Sequence, residues 1–251
     1  MIDRESIFKS LSDVGLNHGN IVLVHADAGV AAQYVAATKA DKLNQFISAL
    51  KQYFYEGTLL VPSFTYSATK GEVFEPYSTK SEVGLFSEVF RTSIDVQRTT
   101  HPIFSFSVWG KNKERFLHLE DSTCFGNGSL FDEFYKANGI LCCIGCSLDR
   151  VTFIHFVEQQ VQVYYRYLKN FEAKVRKGTK VRAFQTSYFV RSLELDTTTD
   201  LTRVKQRALD TEKLRVSAIG RFPIQAISSH SFFQIAVELY REDQNSLIRR
   251  H

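Results

Sequence analysis

NIVLVHADAGVAAQY, residues 20–34, is the stretch on which the fold turns. Its first half, Asn20 to His25, is a short apolar run without alternation, as expected of a strand buried on both faces. Its second half switches to small residues behind a His-x-Asp step, the pattern of a helix opened at a strand end. The same switch recurs downstream. Asp41 to Phe54 places Leu43, Phe46, Ile47, Leu50 and Phe54 at helical spacing, and Gly57 stops that helix. Thr58 to Phe64 (TLLVPSF) and Ile140 to Ile144 predict two more buried strands, and Ser105 to Trp109 another. Ser81 to Arg91, Ser129 to Ala137 and the stretch around His155 predict helices. Strands alternating with helices predict an α/β fold with a central mixed, largely parallel sheet flanked by helices. The last third differs. Lys180 to Leu195 (KVRAFQTSYFVRSLEL) alternates with a period near two, so it predicts one or two antiparallel strands. Leu201–Leu209 and His230–Arg241 read as helices around a short strand, Arg215–Ile219. This part is expected to be a β-rich C-terminal excursion that returns to the core. With no repeat and no linker, residues 1–251 read as a single domain, its core about 1–170 and its β-rich part about 171–251.

Composition narrows the function classes. The formal net charge of +4 is small, and part of it sits at Arg249 and Arg250. That is too little and too scattered for a nucleic-acid partner. No apolar run is long enough to span a membrane. MIDRESIFKSL at the N-terminus reads as an amphipathic helix and not as an export signal, so a cytoplasmic location is expected. Cys142, Cys143 and Cys146 fall in one strand region, where alternating side chains point to opposite faces. With Cys124 they read as buried thiols, and no metal is expected. The oligomeric state is open, a homo-oligomer included.

Five segments carry polar residues that could do chemistry. In LDRVTFIHFVEQQ (148–160), His155 and Glu158 lie three apart and share a helix face. That face is not the main apolar one. Spacing alone leaves three readings: a solvated face, a general base with its carboxylate along a cleft, or a metal pair lacking further ligands. In LVHADAG the helix start offers free backbone N–H groups to an anion, or Asp27 simply caps it. PSFTYS (62–67) puts Ser63, Thr65 and Tyr66 at a strand end, where α/β folds gather ligands. THPIFSFSVWG (100–110) holds His101 and Ser105, and STCFGNGSLFDEFY (122–135) reads as a structural loop capped at Ser129. No Gly-x-Ser-x-Gly elbow, Walker A loop or dinucleotide fingerprint is present.

Taken in order, these blocks resemble the aminoglycoside 3-N-acetyltransferase (antibiotic N-acetyltransferase) family over about residues 5–170. LVHADAG is similar to the segment after the family's first strand. EGTLLVPSFTYS, VFEPYSTKSEVGLFSEVFR and THPIFSFSVWG resemble its next three blocks, and LDRVTFIHFVEQ its Leu-Asp-x-x-Thr-x-x-His-x-x-Glu signature. The resemblance implies the family's own α/β fold and acyl transfer from acetyl-CoA, or another acyl-CoA, to an amine. It implies His155 as general base, with Glu158 and Asp149 at acidic positions that, with Tyr66, meet the acceptor. It implies that His25, Asp27, Ala28, Gly29, Val30, Ser63, Thr65, His101 and Ser105 line the CoA site. Phe104, Ile103 and Ala26 depart from the family pattern. Its acidic partner in the C-terminal third has only Asp196 and Asp200 as candidates. TFIHFVEQ, YRYLKNFEAKV, HPIFS and CFGNGS look most like the branch expected to acylate nucleotide-linked amino sugars for surface polysaccharides. An aminoglycoside-resistance enzyme and a non-catalytic binding homologue are the alternatives.

Overall fold

The computed structural model describes residues 2–34, 38–119, 122–195 and 197–250. In chain order the helices are α1 (Arg4–Asp13), α2 (Lys39–Tyr53), α3 (Leu85–Arg91), α4 (Glu114–Leu117), α5 (Leu130–Lys136), α6 (Ile154–Gln160), α7 (Thr202–Asp210) and α8 (Ser229–Glu242). The first strands are β1 (Ile21–Ala26), β2 (Thr58–Pro62), β3 (Val73–Phe74), β4 (Gln97–Arg98), β5 (Phe106–Gly110) and β6 (Ile140–Ile144). The later ones are β7 (Arg166–Lys177), β8 (Lys180–Arg191), β9 (Thr197–Thr199), β10 (Arg215–Ile219), β11 (Phe222–Ser228) and β12 (Ile248–Arg250).

The central sheet runs β10-β11-β6-β1-β2-β5-β4. It is mixed, and its parallel part is its centre: β1 lies parallel to β2 (Ile21↔Thr58) and to β6 (Val22↔Ile140). The outer pairs are antiparallel. The centre is where both faces are covered, which is why these strands read as unbroken apolar runs. Val22, Val24, Leu59, Val61, Cys142 and Ile144 pack on one side with residues of α1, α2 and α3. Leu23, Leu60, Leu141 and Cys143 pack on the other with residues of α5, α6, α7 and α8. Each such side chain contributes about 1.5–3 kcal/mol on burial. Where β2 meets β5, the backbones touch. Gly110 has φ +116°, and a Cβ there would land on the carbonyl of Gly57.

The expected β-rich excursion is present, and larger than the alternation of 180–195 implied. β7 and β8 form a twelve-pair antiparallel ladder from Arg166↔Arg191 to Lys177↔Lys180. β3 joins it in parallel through Val73↔Lys174. The sequence reading passed over β7 because only Arg166, Ala173 and Val175 of it are buried, so its apolar pattern is faint. It also passed over β11, where Pro223 and Gln225 interrupt the run. β11 pairs with β6 through Ile224↔Ile144, so the C-terminal third supplies two strands of the central sheet. The helix expected from Ser81 starts only at Leu85, because Gly84 stands before it at φ +119°.

Candidate functional site

The parallel strands end together, and a cavity of about 710 Å³ opens at their carboxyl ends. The end of β1 contributes Val24 to Ala28, the end of β2 contributes Pro62, Phe64 and Tyr66, and the chain after β6 contributes Cys146, Arg150 and Thr152. His155 of α6, Tyr188 of β8, Ile103 and Phe104 before β5, and Val83 to Leu85 with Ser87 at the start of α3 complete the wall. Phe104, one of the departures from the family pattern, packs edge-on against Phe64 and Tyr188 with ring centroids 5.0 and 5.1 Å apart. It makes that side of the cavity apolar.

His155 is held from behind by three buried side chains. Its Nδ1 lies 2.6 Å from Glu158 Oε2 and 2.9 Å from Arg166 Nη2. A guanidinium only donates, so the ring cannot serve both contacts as hydrogen bonds. The shorter, charge-assisted contact decides the tautomer: Nδ1–H donates to the carboxylate and Nε2 keeps the lone pair. Glu158 is fully buried, and its Oε1 accepts from Tyr165 Oη at 3.0 Å. Arg166 Nε sits 2.7 Å from Glu158 Oε2 as an ion pair, and its Nη1 donates to the Phe189 carbonyl at 3.2 Å. Burial and the Arg166 charge hold His155 below the usual histidine value, with Glu158 pulling the other way. The imidazole is therefore neutral at neutral pH, as a base must be. Burial pushes the Glu158 carboxyl up, but His155, Arg166 and Tyr165 together outweigh it and keep the group ionised. Burial and the Glu158 charge raise the Tyr165 phenol far above its usual value, so it remains a donor.

The acid beside His155 is thus Glu158, from its own helix. Glu158 is too deep to meet an acceptor, so the acceptor contact expected of it is not available. Asp149 is exposed, accepts from Ser147 Oγ at 2.6 Å and does not line the cavity. Asp200 pairs with Arg249 at 3.3 Å and accepts from Thr202 N. Asp196 lies outside the described residues. Arg166 and Tyr165 escaped the sequence reading. Their signal was present, since a buried carboxylate demands a cation and YYRY follows α6 almost directly.

The expected CoA-site residues divide. His25, Asp27 and Ala28 line the cavity. His25 is lowered to about 4 by burial, and its Nε2 is buried with no hydrogen-bond partner among the described residues. Gly29 and Val30 do not line it, and Val30 belongs to the core. The segment after Asp27 is a short 3-10 turn, Ala28–Gln33, whose Gly29 N donates to Asp27 Oδ1 at 2.7 Å. Val30 N donates to the Asp27 carbonyl, so the aspartate caps the turn and takes up those amides itself. Tyr66 is at the cavity, half-exposed. Ser63, Thr65, His101 and Ser105 are buried structural groups instead. Ser63 Oγ bonds Ser107 Oγ at 2.6 Å, and Thr65 Oγ1 donates to the Pro102 carbonyl at 3.0 Å. Ser105 Oγ donates to the Ser63 carbonyl at 2.8 Å and accepts from Arg98 Nε at 3.0 Å. His101 Nδ1 accepts from Ile103 N and Phe104 N at 3.1 and 3.0 Å, leaving Nε2–H for Thr186 Oγ1 at 3.2 Å. Strand-end polarity pointed to Ser63 and Thr65 and the family resemblance to His101 and Ser105, but hydrogen bonds within the fold take up all four. Among the described residues, no group of three or more His, Cys, Asp or Glu could hold a metal ion, and no helix is long and apolar enough to cross a membrane.

Fold and site together define the class: an α/β enzyme with a carboxylate-backed histidine at the ends of its parallel strands. A model of the aminoglycoside 3-N-acetyltransferase family matches residues 23–241, and the chain belongs to that family. It is 25% identical over 182 residues to the SPbeta prophage-derived aminoglycoside N(3')-acetyltransferase-like protein YokD of Bacillus subtilis (strain 168). That alignment takes in 63% of this chain and 65% of the relative, just under two thirds of its length. The crystal structure of YokD superposes with a TM-score of 0.79 at 20% identity, covering 96% of this chain and 94% of that one. AAC-IIIb in a binary complex with CoASH gives a TM-score of 0.80 at 19% identity, covering 95% and 96%. AAC-VIa bound to sisomicin gives 0.77 at 17% identity, covering 94% and 96%. At these identities the superpositions establish the shared fold.

Proposed function

We propose that the protein transfers an acetyl group from acetyl-CoA to an amine of an aminoglycoside-type amino sugar, with His155 as general base. The observation that carries this is the imidazole of His155 at the cavity wall, tied at Nδ1 to a buried carboxylate. An alkylammonium is no nucleophile until it loses a proton. His155 Nε2 takes that proton as the nitrogen lone pair attacks the thioester carbonyl. The C–N bond forms, the C–S bond breaks, and the CoA thiolate leaves and takes up the second amine proton, which leaves a neutral amide. Glu158 keeps the ring in the productive tautomer and stabilises its cationic form. The unpartnered Nε2 of His25 is a free hydrogen-bonding group for the donor, and Tyr66 offers a ring face to the acceptor.

One observation favours a less cationic acceptor. Among the described residues, the cavity lining holds one carboxylate, Asp27, against the guanidinium of Arg150. A polycationic drug would gain little from that balance. A nucleotide-linked amino sugar, whose diphosphate is anionic, suits it better. The comparisons bear on the family and not on a polysaccharide role. The experiment is CoA thiol release with sisomicin and with nucleotide-linked amino sugars, on wild type and His155→Asn. Wild-type turnover with one acceptor class and a loss of about 10²–10⁴-fold in the variant are expected. A folded His155→Asn variant with turnover near wild type overturns the mechanism.

A further inference from the structure

Arg166 reaches the site from a different element than the pair it serves. His155 and Glu158 share α6, whereas Arg166 is the first residue of β7. Its guanidinium spans both side chains. Nε lies 2.7 Å from Glu158 Oε2, and Nη2 lies 2.9 Å from His155 Nδ1. The bond from Nη1 to the Phe189 carbonyl, 3.2 Å long, ties the same group to β8. Glu158 is fully buried and the Arg166 side chain only 5% exposed, so water screens these charges little.

Two charge arrangements satisfy the carboxylate. In one, Glu158 pairs with the guanidinium and the imidazole stays neutral. In the other, Glu158 pairs with an imidazolium, the state that a carboxylate 2.6 Å from Nδ1 favours when left alone with the ring. An imidazolium has no lone pair and takes no proton from an amine. With the guanidinium in place, charging the ring would put two buried cations side by side against one anion. The other groups around the ring supply no such bias. Burial raises the phenols of Tyr165 and Tyr188, so both stay neutral. Phe125, with its ring centroid 5.4 Å from that of His155, is apolar. His25, Asp27, Cys146 and Arg150 stand elsewhere on the cavity wall, and the ion-pair contacts of the ring run to Glu158 and Arg166.

We propose that Arg166 is a positioning residue that selects between these arrangements: it holds Glu158 ionised and keeps His155 uncharged until the acceptor amine delivers its proton. This role rests on the reading of His155 as the general base. Without the guanidinium, the carboxylate recruits the imidazolium and the ring is occupied before the acceptor arrives. A neighbouring charge moves a titration by about one to three units. Arg166→Met therefore moves the acid limb of kcat/KM upward by at least about one unit, with about tenfold or more lost near pH 6.5 and most of it recovered near pH 9. Arg166→Lys keeps a cation and leaves the limb near its wild-type position. A merely structural role would lower activity at every pH without moving the limb.

The test follows the ring itself, by two-bond ¹H–¹⁵N correlation on the full chain carrying ¹⁵N-histidine. His155→Asn identifies the His155 signals among the seven histidines. The wild-type ring is expected to carry its proton on Nδ1 and to titrate below about 6.5. Arg166→Met raises that midpoint by at least about one unit, and Arg166→Lys by less than half of that. CoA thiol release between about pH 6 and 9 reads the limb in parallel. A wild-type ring that titrates above about 6.5 overturns the proposal, even where Arg166→Met does not fold. So does a folded Arg166→Met whose midpoint stays within about 0.3 unit of wild type. A wild type that releases no thiol, with the midpoint still rising in Arg166→Met, overturns the transferase reading and leaves the role of Arg166 standing.

Discussion

Replacing Glu158 with glutamine keeps the side-chain volume and removes the charge on which both His155 and Arg166 depend. Arg166 has a side chain only 5% exposed, so the variant leaves a buried guanidinium whose remaining contacts are the Phe189 carbonyl and the imidazole. Removing one partner of a buried ion pair costs about 3–5 kcal/mol. In a chain of this length each kcal/mol moves the melting temperature by about 2–4 °C, so a fall of roughly 6–20 °C is expected. A second change, Arg166→Met, removes the stranded charge, and the double variant recovers most of the loss. Turnover does not recover with it, because nothing then fixes the His155 tautomer, and about 10²–10⁴-fold of general-base catalysis is lost. Calorimetry at neutral pH on wild type, single and double variants reads the first effect, and CoA thiol release reads the second. If Glu158→Gln melts within about 2 °C of wild type, the difference is below 1 kcal/mol and the reasoning about a buried pair is refuted.

Other outcomes follow from the same geometry. His101 and His25 are lowered by burial to about 3 and about 4. Above the ordinary histidine value of about 6.5, neither state is protonated and these groups add no pH dependence. As pH falls below it, the unfolded chain binds the protons first, so stability drops by up to several kcal/mol toward the folded values. Urea unfolding from pH 7 to 4 checks this, and a stability that does not change over that range argues against it. Tyr165→Phe strips Glu158 Oε1 of its donor and should cost about 1–3 kcal/mol in the same assay. Gly110→Ala combines a positive φ with a Cβ placed on the Gly57 carbonyl, so a loss of at least about 1–3 kcal/mol is expected. An unchanged melting temperature for that variant would mean β2 and β5 are not packed this closely.

Much of the core was legible because burial on both faces writes itself into sequence as unbroken apolar runs. β1, β2 and β6 read that way, and their order and alternation with helices sufficed for the fold class. β7 did not, since a ladder largely exposed to solvent has little reason to alternate cleanly. β11 did not, since Pro223 near its start disguises a strand that is internal to the sheet. The site was half legible. The spacing of His155 and Glu158 on one helix face is a local fact. That this polar face is roofed by the root of the β7–β8 hairpin is a tertiary fact, and periodicity assigned it to solvent for that reason. The same limit explains Ser63, Thr65, His101 and Ser105. Their polarity is readable, but the partners that satisfy them arrive from other segments.

The β7–β8 hairpin gives the molecule a built-in handle. Its root supplies Tyr188 to the cavity wall and Arg166 to the buried group behind His155, while its tip, Gly178 and Thr179, is exposed. Twelve paired residues at about 3.3–3.4 Å each place root and tip roughly 40 Å apart along the strands. A peptide tag or a fused domain spliced between Gly178 and Thr179 would meet solvent rather than the chemistry, and surface tethering through that turn would leave the cavity mouth clear.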